Sequence, residues 1–525
     1  MEEISEELAQ LNNNDSSSDN CEKPKKNVKK NYLYNLLYQI FLIIVPLVVT
    51  PYISRVLTPE GIGQYSFSFS IITYFTIVGA LGFGNYAQRE IAKNQGNIKE
   101  QTKSFWEICI CRTIPVAFAL SINIILCILN AYNTYTPLMW IFNINIIALA
   151  FDISFLYQGN EEFGKLVIRN LFIKSLSIVL IFLLVKNQND LWIYTIINAS
   201  SVIGSNIIMW LVCYKYLEKI SIKILKPLRH LKGTLILFLP TIATSIYTVL
   251  DKTLIGILIS DTYEVEVCKS IDGIEIVTTE IKKYSDLENG YYEQSEKLIK
   301  MAMTVITSIG TVMIPRNSNE FAKGNIENVK KNINISSKLV LLLSIPMVLG
   351  FVVIAPLIVP WFFGNGYEKC TILLRILAPL IFIIGFSNVF GLQYLLPSGH
   401  DNKFTFALVL GAIVNLILNI VFIKFWWSVG AAIATIIAEC VVTIVMAIMV
   451  RKEVNLLKII IGGWKYFVAG TLMFIVCFIV AKYLSASIID SLIVILLGVF
   501  IYAFCLIILK EHFTWMLLKK IFCKK

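Results

Sequence analysis

Charge is scarce in this chain: Asp, Glu, Lys and Arg make up 15% of 525 residues, against about 25% in ordinary soluble domains. Histidine is scarcer still, with three in all. No HExxH, Walker-type or GxSxG motif occurs, which removes the usual sequence grounds for zinc hydrolysis, nucleotide hydrolysis or serine catalysis. The first 30 residues lack the apolar core of a signal peptide; they run from acidic (Glu2, Glu3, Glu6, Glu7) through Asn/Ser-rich to Lys-rich. They read as a disordered cytoplasmic tail. Paired or clustered cysteine is absent as well. The eleven cysteines are scattered, mostly inside apolar stretches. Cys109 and Cys111 form a CxC, but on a helix they sit about 200° apart, which makes no metal site. Thiols so placed behave as small buried hydrophobes. Neither a metal nor a cofactor is expected.

What the chain has is apolar length. Hydrophobic residues make up 57% and the mean hydropathy is +0.72. Fourteen apolar stretches follow one another, at approximately 32–54, 64–84, 107–130, 137–158, 166–185, 191–213, 234–259, 299–315, 339–362, 371–396, 404–423, 429–450, 459–481 and 487–509. A hydrocarbon core of about 30 Å takes roughly 20 residues of helix. The expected fold is an all-α polytopic membrane protein of about 14 transmembrane helices.

Lys and Arg gather in every second gap. With the N-terminus inside, 31 of them fall on or beside the inner segments and 10 on the outer ones, which places both termini in the cytoplasm. The run Lys215, Lys219, Lys223, Lys226, Arg229 and Lys232 is the strongest inner anchor. The net charge of +11 therefore marks topology and lipid headgroups; nucleic acid is not an expected partner. Trp106, Trp192, Trp361, Trp426, Trp427, Tyr32 and Tyr34 near span ends read as interfacial belts.

The sequence also echoes itself. Thr195 and Thr435 open similar motifs 240 residues apart, and Gly159 and Gly399 repeat that offset. Arg89 and Arg316 align at 227, and Arg55 and Lys252 at 197. These echoes suggest two six-helix lobes in parallel repeat plus two C-terminal helices, with a substrate site between the lobes. The expected divisions are 1–30 (tail), 31–233 (first lobe), 234–451 (second lobe) and 452–525 (two extra helices and a basic C-terminal tail). The jump in offset marks an insertion of about 30 residues near 264–289, outer, acidic and hairpin-like, with Val265, Ile274, Ile276 and Val277 among polar residues.

Charges inside a membrane are expensive and usually face a cavity or a partner. The candidates are Asp152, Lys174, Asp251, Lys252, Arg375 and Glu439, with Arg55 near the end of the first span. Cations predominate, which favours an anionic substrate. Arg55 and Lys252 occupy equivalent places in the repeat and would both face the axis between lobes; Lys174 and Arg375 are weaker candidates. Asp152, Asp251 and Glu439 are candidates for binding a coupling H⁺ or Na⁺. Arg112 and Lys465, close to inner ends, read as interfacial. Pro46, Pro51 and Pro240 allow spans 1 and 7 to bend.

The run Asn35-Leu-Leu-Tyr-Gln-Ile-Phe with Pro46, Thr50-Pro-Tyr-Ile-Ser-Arg-Val-Leu and Gly61-Ile-Gly-Gln-Tyr-Ser resembles the first two helices of Wzx-type polysaccharide flippases. So do Leu250-Asp-Lys-Thr-Leu-Ile-Gly, Gly290-Tyr-Tyr-Glu-Gln-Ser-Glu-Lys and Met313-Ile-Pro-Arg. These proteins belong to the multidrug/oligosaccharidyl-lipid/polysaccharide exporter superfamily, and the similarity covers the chain beyond its tail; the 264–289 insertion departs from the pattern. The resemblance implies a V-shaped two-lobed bundle in the bacterial plasma membrane. It implies alternating-access transfer of undecaprenyl-diphosphate-linked oligosaccharide units for capsule, O-antigen or exopolysaccharide assembly, without enzymatic chemistry. The expected partners are that substrate, membrane lipid, H⁺ or Na⁺, and a glycan polymerase. The family's cationic cavity carries over onto Arg55 and Lys252, less securely onto Lys174 and Arg375, as diphosphate ligands. A multidrug antiporter of the same fold, a peptidoglycan-precursor flippase and, remotely, a membrane glycan polymerase are the rival readings.

Overall fold

A computed structural model describes residues 28–271, 274–454, 459, 461–511, 514 and 515. Most of the N-terminal tail, and the side chains of Tyr32, Tyr34 and Pro240, lie outside the described parts. The apolar runs form long helices because a helix satisfies its own backbone hydrogen bonds, which hydrocarbon requires. In chain order they are α1 (Val28–Ala80), α2 (Phe83–Lys93), α3 (Ile98–Ile128), α4 (Thr136–Ala150), α5 (Ser154–Gly159), α6 (Phe163–Leu184), α7 (Leu191–Cys213) and α8 (Leu231–Leu258). Then come α9 (Tyr284–Ala322), α10 (Ile326–Phe363), α11 (Lys369–Leu377), α12 (Leu380–Ser387), α13 (Asp401–Val450), α14 (Trp464–Ala481) and α15 (Ile488–Ile508). A π-helix, Asn388–Leu395, continues α12.

Eleven helical stretches among the described residues are long and apolar enough to cross a bilayer. Two of them double back. In α1 the backbone leaves helical geometry only at Thr58 (φ 59°), and in α13 only at Trp427 (φ 53°). Positive φ is costly for residues with a Cβ. The first limb of α1 runs toward these turns, with Ile43 and Pro46 beside Lys300 and Thr304, and Pro59 beside Gly290. The second runs back, with Phe67 against Gly256 and Ser70 bonded to Thr253. The helix count is compatible with fourteen passages, and the chain is a multi-pass membrane protein.

Between α8 and α9 stands an antiparallel hairpin, β1 (Thr262–Ile271) with β2 (Ile274–Lys283), in the register Thr262 to Lys283 and Ile271 to Ile274. Helix resumes at Tyr284, so the last residues of the 264–289 stretch belong to α9. We call this side of the bundle the hairpin end.

Buried apolar residues group by half. Two clusters hold α1–α7, centred on Phe142 and Phe105; one large cluster joins α8–α15. The last two helices dock on α10, where Gly470 lies so close that an added Cβ would sit 2.5 Å from Ile345. Opposite the hairpin end, the linker between halves is tied down by the buried Glu107 of α3. Its carboxylate accepts from the Lys226 backbone N–H (2.7 Å), is ion-paired with Arg229 (2.6 Å to Nε) and lies 3.0 Å from His230 Nε2. Burial pushes the His230 imidazole below its ordinary value, although Glu107 opposes it.

Candidate functional site

The two halves meet chiefly where α1 packs on α9. At the hairpin end they touch backbone to backbone. A Cβ on Gly63 would lie 1.7 Å from the Asp286 carbonyl oxygen, and one on Gly290 would lie 2.0 Å from that of Pro59. Tyr135 donates to Asp286 (2.7 Å), and Gln64 donates to its second oxygen (3.1 Å). Glycine is needed here because no side chain fits between the strands of backbone.

Away from that contact a chamber of about 290 Å³ opens between the halves, lined by Ile43 and Pro46 of α1, Lys252 of α8 and a face of α9. That face is built by helical spacing: Glu293, Lys297, Lys300 and Thr304 follow at three or four residues, and Glu296 lies three after Glu293 and four before Lys300, so that all five share one side. Lys252 is ion-paired with both Glu293 and Glu296, the latter at 3.0 Å. Lys300 also pairs with Glu296 (2.7 Å), and Ser66 of α1 donates to Glu293 (3.0 Å). Two carboxylates thus face three ammonium groups. A lone buried lysine is costly; the glutamates lower that cost while leaving the chamber net positive.

Asp251 points elsewhere. Adjacent helical residues diverge by about 100°, and its carboxylate, 7% exposed, enters the second half. It accepts from Tyr292 (2.5 Å), Asn419 (2.6 Å) and Thr435 (2.7 Å). The two limbs of α13 supply Asn419 and Thr435 because the reversal at Trp427 folds one onto the other. Both polar atoms of buried Asn415, and Asn419 Oδ1, have no hydrogen-bond partner.

The other expected residues lie apart. Arg55 is exposed, bonds the Trp361 carbonyl of α10 and does not line the Lys252 chamber. The structure therefore does not bring Arg55 and Lys252 together, although the repeat suggested it. Lys174 is exposed on α6. Arg375 is exposed, and its Nε donates to the Val352 carbonyl (3.0 Å). Asp152 caps α5 through the Ser154 N–H (2.9 Å), and its carbonyl takes Arg112. Glu439 is half-buried a turn beyond Thr435. Of the expected belt residues, Trp361 donates to Ser491 (2.7 Å), and Trp427 packs on Tyr284 with Lys369 over its ring. Glu293, Glu296 and Lys297 escaped sequence reading because the eighth span was begun at 299. Their spacing of three and four was the available signal.

Comparison with solved structures gives the class. The fold matches the lipid II flippase MurJ in an inward closed conformation, with a TM-score of 0.68 at 16% identity over 91% of this chain and 99% of that one. It also matches a multidrug MATE transporter of the MOP superfamily in an inward-facing conformation (TM-score 0.58, 14% identity, 82% and 95% covered). The chain shares the polytopic helical fold of these two proteins. The family model described as polysaccharide biosynthesis protein matches residues 28–321, and a second of the same description matches 276–372. The chain belongs to the polysaccharide biosynthesis protein family. A putative O-antigen transporter of Escherichia coli (strain K12) is 24% identical over 416 residues, 78% of this chain and 93% of that one. Another, from Shigella dysenteriae, is 22% identical over 77% and 95%.

Proposed function

We propose that this protein moves undecaprenyl-diphosphate-linked oligosaccharide units across the bacterial plasma membrane by alternating access, supplying capsule, O-antigen or exopolysaccharide assembly. It carries out no covalent chemistry, and a glycan polymerase takes the product on the outer face. In this reading both termini are cytoplasmic and the hairpin end is outer. The observation that carries it is the positively balanced chamber between halves whose hairpin ends are in contact: a diphosphate could enter from the opposite side and from lipid.

Lys252 would hold the diphosphate, with Lys297 and Lys300 beside it. Phosphate oxygens would replace glutamate oxygens on Lys252, so the lysine exchanges one anionic partner for another without passing through an unpaired state. Arg55, Lys174 and Arg375 pair with no carboxylate among the described residues. They would attract the diphosphate outside the chamber. Asp251 is the favoured coupling residue: its oxygens, with those of Asn419 and Thr435 bonded to it, form a set suited to H⁺ or a hard cation such as Na⁺. Asp152 and Glu439 are secondary candidates. An inside-negative potential adds about 2.3 kcal/mol per exported charge per 100 mV. Positive balance in the chamber favours this reading over an exporter of cationic drugs.

The test is a deletion strain. It should accumulate an undecaprenyl-diphosphate oligosaccharide in its inner leaflet, and sugar analysis of that lipid identifies the unit. Accumulation of a peptidoglycan precursor instead, or of no polyprenyl lipid, would refute the proposal.

A further inference from the structure

The hairpin stands on the second half and reaches over the first. Its footing is a chain of ring and charge contacts. Tyr263 packs on Tyr284 (centroids 4.7 Å apart), Tyr284 on Trp427 (5.2 Å), and Lys369 lies over Trp427 (5.1 Å). Lys369 closes the chain on buried Glu288 (2.6 Å), whose other oxygen accepts from the Ser428 N–H (3.2 Å). Every member belongs to the second half.

From that footing three residues touch the first half beside the Thr58 turn. The Tyr263 hydroxyl donates to Glu60 (3.0 Å), Lys282 lies 4.0 Å from the same carboxylate, and Lys283 lies over the ring of Tyr135 (4.8 Å). Tyr135 in turn donates to Asp286 at the start of α9. These contacts are polar and lie beside a cavity of about 430 Å³ that straddles the halves. They can part and re-form with little apolar surface exposed. The footing cannot part so easily, because its aromatic rings and buried Glu288 would lose their partners.

We propose that the hairpin is a latch: it rides with the second half and, through Tyr263, Lys282 and Lys283, clasps Glu60 and Tyr135 to hold this end of the protein shut. The halves already interlock at Gly63 and Gly290; the latch adds a cost to separating them that a transporter without the hairpin would not have. Opening toward the hairpin end then requires release of Glu60. This role holds whichever head group the chamber accepts.

Hydrogen exchange of the purified full-length protein in nanodiscs tests it. Tyr263→Phe keeps the ring on Tyr284 and removes only the hydroxyl; combined with Lys282→Ala it empties the clasp on Glu60. Replacing 264–281 with a short Gly-Ser turn removes the hairpin. Losing a charge-assisted bond should raise opening about tenfold. Exchange should therefore accelerate in 57–66 and 284–294 while 326–363 stays unchanged. Glu60→Lys with Lys282→Glu should restore protection. Unchanged exchange at 57–66 in both the double variant and the hairpin replacement would overturn the latch. So would equal acceleration throughout the chain in Tyr263→Phe alone.

Discussion

Asp251 and Lys252 are neighbours in sequence and opposites in setting. Lys252 faces a chamber between the halves and is ion-paired with two carboxylates. Asp251 faces the interior of one half and is held by three neutral donors. Tyr292 and Glu293 repeat the alternation on α9, one serving each side. A single turn of two packed helices thus presents an ionic site to one direction and a buried hydrogen-bonded one to the other. In the proposed reading, a substrate site and a coupling site share backbone without sharing ligands.

The sharpest way to break this contrast is at Lys252. Lys252→Ala removes the ion pair of Glu293 and leaves Glu296 only Lys300, in a part-buried site. We expect complete loss of complementation in a deletion strain, with normal membrane insertion and a stability loss of up to about 3 kcal/mol, less than for a fully dry pair. Full complementation would remove Lys252 from the pathway. Next in size is Asp251→Asn, which keeps the shape but removes the charge. Transport should fall at least tenfold, and any Na⁺-dependent rise in Tm of the wild-type protein should vanish; retained ion dependence would move coupling to Asp152 or Glu439. The smallest effect separates chamber from periphery. Lys297→Gln should weaken precursor binding by about tenfold, one charged hydrogen bond, whereas Lys174→Gln should change it less than threefold. The reverse order would place the diphosphate outside the Lys252 chamber.

Membrane residence and helical class were legible because bilayer thickness imposes a length on every apolar run. Lys252 was legible because a cation in an apolar span demands a reason. The partners of Lys252 were not: Glu293, Glu296 and Lys297 lie in a polar stretch that looks like a loop until α9 is seen to begin at Tyr284. Arg55 misled for a different cause. Its place in the repeat is set by sequence, but its guanidinium direction is set by the neighbouring Trp361 carbonyl, and no periodicity reports that. The reversals at Thr58 and Trp427 fall in the expected gaps 54–64 and 423–429, but their tightness was hidden, since neither residue is the glycine that positive φ usually selects.

Those one-residue reversals have a mechanical consequence. Where two membrane-crossing rods are joined by a generous connector, each can slide alone. Here each pair is welded at its tip and must swing as a single tuning fork. Deformation has to be absorbed along the prongs, and Pro46 and Pro51 in the first limb of α1 are the natural places for that flexing.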